Sequence, residues 1–139
     1  MNFKKLIVGG LAGGVVFFLL GYLFYGLLFA DFFKSVATIQ SAGTMRPMER
    51  LFWPGLIVGN LLSGFLVAFV FVKANVNTLM AGLVTGAILA FLVTSSYDFT
   101  TYGVTLLLKI KGIAGDVAVS TLMGAIVGAV VGAVMGKVK

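Results

Sequence analysis

Few side chains in this sequence could bind or react, and they gather around one end of its long apolar runs. Asp116 stands out. It shares a four-residue rhythm with Ser120 and Gly124, and an ionisable group in or near a membrane helix is a functional hypothesis by default. A local account competes with that. A carboxylate about one turn into a helix is stabilised by the macrodipole and by free N–H groups, and Lys109 or Lys111 could pair with it. Asp98, next to Tyr97 and four residues before Tyr102, reads the same way, as an interfacial acid or a second ligand. Tyr22 and Tyr25 form an aromatic band with Phe18 and Phe29, a packing or lipid-facing surface before it is a ligand cage. Asn60 falls near the middle of an apolar run. It can hydrogen-bond across helices, worth about 0.6 kcal/mol on average in such settings, so structural glue ranks above ligand contact.

The residues that are missing narrow the chemistry further. There is no Cys and no His, which removes disulfides, thiolate chemistry, the commonest general base and the commonest transition-metal ligand. No cofactor, metal site or catalytic residue is expected. An enzyme would need Asp98 and Asp116 as acid and base, and nothing in their spacing shows that they converge. What is left is attraction of a cation or cationic ligand by carboxylates and aromatic rings.

These candidates must be positioned by membrane helices. The 139 residues are 60 % hydrophobic and 10 % charged, against about a quarter charged in a soluble domain. The apolar residues come in long uninterrupted runs, the signature of a bilayer-spanning chain. The reading is an all-α integral membrane bundle of four transmembrane helices in one domain, with spans of about 6–30, 53–72, 78–96 and 113–136. Residues 1–5 form a short basic start. The run that follows is about twice a signal-peptide core, with no small-x-small cleavage site after it. Residues 31–42 predict a short amphipathic helix in the headgroup region, with Phe32, Phe33, Val36 and Ile39 at helical spacing, ended by Gly43 and Pro47. Asn77 is expected to cap the third span. Residues 97–111 predict a surface-lying or partly re-entrant segment, since 104–108 is apolar but too short to span.

Small residues set the expected packing. Gly124, Gly128 and Gly132 recur every fourth position in the last span. Such a stripe lets a neighbouring backbone approach closely, and the first span, with Gly9/Gly13 and Gly10/Gly14, is its expected partner. Gly59 and Gly86 belong to similar rows in the second and third spans. These rows fit a glycine-zipper interface inside one chain or between copies.

The ten Lys and Arg are spread over termini and loops, as topology and headgroup contacts require. No basic cluster with interleaved aromatics exists, so nucleic acid is not an expected partner. The lipid bilayer is, with other membrane subunits or further copies beside it. Lys4 and Lys5 abut the first span and favour both termini inside. The run GGLAGGVVFFLLGYLFYGLLF, the segment SYDFTTYG and an Asp early in a small-residue last helix resemble a group of small bacterial four-helix membrane proteins, catalogued as domains of unknown function, of Bacteroidetes type. Tyr97, Asp98 and Asp116 match its polar features. That resemblance implies a bacterial inner-membrane protein with no known activity. An accessory subunit or homo-oligomer ranks first, and a carrier or binder of a small ligand or cation at the Asp/Tyr end ranks second.

Overall fold

The computed structural model describes residues 1–139. Helix α1 (Phe3–Gly21) runs on without a break into a π-helical segment, Tyr22–Leu28. Two short helices follow, α2 (Ala30–Ser35) and α3 (Ile39–Thr44), then a 3-10 turn at Met48–Arg50. Three long helices complete the chain: α4 (Trp53–Ala74), α5 (Leu79–Val104) and α6 (Ile110–Lys137). The fold is all-α. Its four long helices (α1 with its π-helical extension, α4, α5 and α6) are long and apolar enough to cross a membrane.

Local chemistry sets the helix ends. The Asn2 side chain accepts from the Lys5 backbone N–H at 3.0 Å, holding one free donor at the start of α1. Pro54 sits in the first turn of α4, where its missing N–H costs nothing. Asn75 ends α4 at φ 55°, a left-handed conformation that Asn tolerates better than other side-chain-bearing residues. Thr78 caps α5 by accepting from Ala81 N–H at 3.2 Å. The expected cap, Asn77, is instead taken up by Lys5, whose Nζ donates to Asn77 Oδ1 at 3.0 Å.

Three boundaries differ from the sequence reading. α5 extends to Val104, so residues 97–104 are helical and neither surface-lying nor re-entrant. At 1.5 Å per residue its 26 residues span about 39 Å, longer than the hydrocarbon core of about 30 Å. Interfacial composition in residues 97–102 therefore coexists with an unbroken helix. α6 starts at Ile110, three residues early, and places Asp116 beyond its first turn. The amphipathic segment is two helices, because Thr38 and Ser41 form a reciprocal capping box that starts α3 afresh. Gly43 lies inside α3 and does not terminate it.

The spans pack as an open bundle. α1 lies between α4 and α6, α5 packs mainly on α6, and α4 hardly meets α5. The α5–α6 contact is backbone on backbone: Gly82 lies against Gly128 and Gly132, and Gly86 against Gly124 and Gly128. The stripe of the last helix thus faces the third span, where the sequence reading expected the first. α5 offers Gly82, Gly86 and Ala90 at the same four-residue interval, and an interface free of side chains on both sides gives the closest approach. The α1 glycines serve two neighbours. Gly10 and Gly14 lie under Phe65 and Leu61 of α4, and Gly13 fits between Gly64 of α4 and Val131 of α6. Gly59 faces open space. The core, with Phe71, Val127, Val131 and Met135 fully buried, fills the space between α1, α4 and α6.

Candidate functional site

α5 and α6 form a hairpin closed by residues 105–109. Asp98 stands six positions before the end of α5, and Asp116 six positions after the start of α6. The hairpin therefore holds both at one level, about 9 Å along each helix from its closed end. The register that sets Ala90 against Gly124 also sets Asp98 opposite Asp116, eight residues nearer the turn on each helix. Asp98 is 3 % exposed, and its Oδ2 is buried with no hydrogen-bond partner. Asp116 is half-buried. No Lys or Arg lies within ion-pairing distance of either acid, so the expected pairing of Asp116 with Lys109 or Lys111 does not form. The Asp98 side chain is buried in the bundle, while that of Tyr97 beside it is exposed.

The third member comes from the first span. The Tyr25 hydroxyl donates to Asp116 Oδ1 and lies 2.9 Å from Ser120 Oγ, one turn further along α6. Tyr25 sits within the π-helical segment, where Phe29 N–H donates back five residues to the Phe24 carbonyl at 2.8 Å. π-helical turns are rare and occur frequently at functional sites. Here the altered register delivers Tyr25 to α6 while Phe24 stays buried against Val119 and Met123. α2 covers the group from outside: Phe33 lies on the Tyr25 ring with centroids 5.0 Å apart, and Phe32 packs over Gly115. Thr38, just beyond α2, donates to the Leu107 carbonyl at 3.2 Å, which ties this cover to the hairpin turn.

Two carboxylates facing each other across a helix interface cannot both hold full charge cheaply. Unit charges 4 Å apart repel by about 4 kcal/mol at an effective dielectric constant of 20. A proton or a small cation between them removes that cost. Every donor in the group is a hard oxygen, from two carboxyls and two hydroxyls, which suits a proton, an alkali or alkaline-earth ion, or an ammonium group.

The remaining candidates lie elsewhere. Tyr97 is 70 % exposed and lines an open groove on the outer face of α5 with Ser96 and Thr100. Tyr102 lines a second groove, beside Thr38 and Lys109. Tyr22 is exposed next to Gly26. Asn60 donates to the Leu56 carbonyl of its own helix at 2.7 Å, so it glues nothing across helices. Ser120 is a member that sequence reasoning missed as a ligand, although its place one turn from Asp116 on the same face is visible there. Comparison with known proteins adds no relative: no family model, no curated protein and no solved structure matches this chain.

Proposed function

We propose that this multi-pass membrane protein binds a small cation at the Tyr25–Asp98–Asp116 group and acts as a binder or carrier for it. One observation supports the reading above all: Asp98 is buried beside a second acid, with a free carboxyl oxygen and no basic partner. Ionisable groups kept inside a membrane bundle are expensive and mark ion or proton pathways. The test is thermal stability in detergent, across pH and across a panel of metal chlorides and small amines, for the parent, Asp98→Asn and Asp116→Asn. A ligand that binds only the folded state adds RT ln(1 + [L]/Kd), about 2.7 kcal/mol at a hundred times Kd. Any dependence on pH or cation seen in the parent should vanish in both variants. A parent indifferent to all of them, or a dependence that survives in both variants, overturns the reading.

A second reading, an accessory subunit or homo-oligomer, draws support from α4. Gly55, Gly59 and Ser63 form a small-residue row on its exposed face, and Gly59 has no neighbour there. For location, the reading is a bacterial inner membrane with both termini cytoplasmic. It follows from Lys4 and Lys5 beside the first span and from the resemblance to small bacterial membrane proteins. A reporter fused after Lys139 should be active only in its cytoplasmic form, and a periplasmic signal would reverse the orientation.

A further inference from the structure

The cation site has a feature that discriminates between occupants, which is the burial of one of its two facing acids. We propose that Asp98 and Asp116 hold one exchangeable proton between them, with Tyr25 and Ser120 as the hydrogen-bonded outlet toward the half-buried side. This rests on the cation-site reading above and names the cation.

Three observations favour a proton over a metal ion. Asp98 and Asp116 face each other across the α5–α6 interface, and Asp98 is buried there with no basic group to balance its charge. No third acid joins the pair, and no cluster of three His, Cys, Asp or Glu exists anywhere in the chain, whereas Ca²⁺ takes about six to eight oxygen ligands. Finally, the Tyr25 O–H already donates to Asp116. Asp116 thus already has a donor, while the buried Asp98 Oδ2 has none. A neutral Asp98 donating its O–H to Asp116 gives the buried carboxyl the partner it lacks. It also avoids an unpaired buried charge, which costs several kcal/mol per ion.

The polar groups facing the pair are few. From the first span comes Tyr25, from α6 Ser120; α2 contributes the aromatic cover of Phe32 and Phe33, and no lysine or arginine joins them. In the binding step one carboxylate oxygen forms an O–H bond, the charge of the pair goes from −2 to −1, and no electron moves. Release reverses this through Asp116, the more exposed member. Tyr25 and Ser120 sit within 2.9 Å of each other beside it, so they can pass hydrogen bonds onward.

Infrared spectroscopy in a detergent free of ester carbonyls reads the proton directly. At neutral pH the parent should show the C=O band of about one carboxylic acid per chain. That band should move to lower frequency in D₂O and again on carbon-13 labelling of the aspartate carboxyls. The labelled parent assigns the band without relying on a variant's folding. Asp98→Asn together with Asp116→Asn should remove it. Sodium, potassium, magnesium and calcium chlorides are then added singly. A band that persists through all four supports the proton. A band removed by one of them, or a parent with no band whose thermal stability rises with a metal chloride, overturns the proton and leaves the cation site standing. A parent with no band and no response to any cation or to pH overturns both.

Discussion

The two ends of the α5–α6 hairpin are built on opposite rules. At its open end, from Gly82 to Gly136, backbone meets backbone and Val127, Val131 and Met135 fill the remaining space. No charged side chain is buried there, and every helix is regular. Near its closed end the first span turns π-helical, a carboxyl is buried without a partner, and a short helix lies over the group as a cover. A bundle optimised only for packing would have no use for the second arrangement, since a leucine at position 98 would bury more cheaply than an acid. The contrast separates the part that holds the bundle together from the part that departs from it, and departures of this kind are where function is sought.

The contrast breaks most visibly at Gly86. A Cβ there would collide with the Gly124 carbonyl and lie 2.8 Å from Gly128 Cα, atoms that no rotamer change can move aside. Overpacking costs about 1–3 kcal/mol and occasionally more, and Gly86→Leu is expected at or above the top of that range. Thermal unfolding in detergent measures it. A variant as stable as the parent would mean that the α5–α6 interface does not hold the bundle. Tyr25→Phe should cost less, about 1.5–3 kcal/mol, the usual worth of a hydrogen bond to a charged group. Pairing it with Asp116→Asn in a double-mutant cycle isolates the contact. A coupling energy near zero would reduce the π-helical segment to a packing feature and detach Tyr25 from the site.

Much of the hairpin was legible in the sequence, and its partner was not. Long apolar runs fix four spans because a bilayer leaves the backbone few other ways to satisfy its hydrogen bonds. The four-residue glycine rhythm likewise announces a close contact. It does not say with which helix, since α1, α4 and α5 all carry small residues at that interval. The same generality misplaced Gly59, whose row looks like the others and faces outward. At the site, Asp116 and Asp98 are each conspicuous, yet their convergence depends on α5 continuing through residues 97–104, where Thr, Tyr and Gly suggest an interface. The π-helical turn that brings in Tyr25 has no sequence signature, because it departs from the α-helical spacing on which face arguments depend.

The smallest expected effect sharpens the contrast at its quiet limit. Gly59 lies on an exposed face of α4, and a Cβ added there would meet nothing within 4 Å. In the isolated chain a leucine there has room, and it replaces the residue that most disfavours a helix interior after proline. Gly59→Leu should therefore leave thermal stability unchanged or raise it by up to about 1 kcal/mol. The same substitution reports on assembly. If the Gly55–Gly59–Ser63 row is where another subunit or a second copy seats, the leucine blocks close approach of its backbone. Size-exclusion chromatography with light scattering, run on parent and variant after gentle extraction, then shows a smaller particle for the variant at equal stability. An unchanged particle size removes the support that this row lends to the accessory-subunit reading. A loss of stability matching that of Gly86→Leu would instead show that α4 packs through this row within one chain, and the division between a packed hairpin and an outward α4 face would fall.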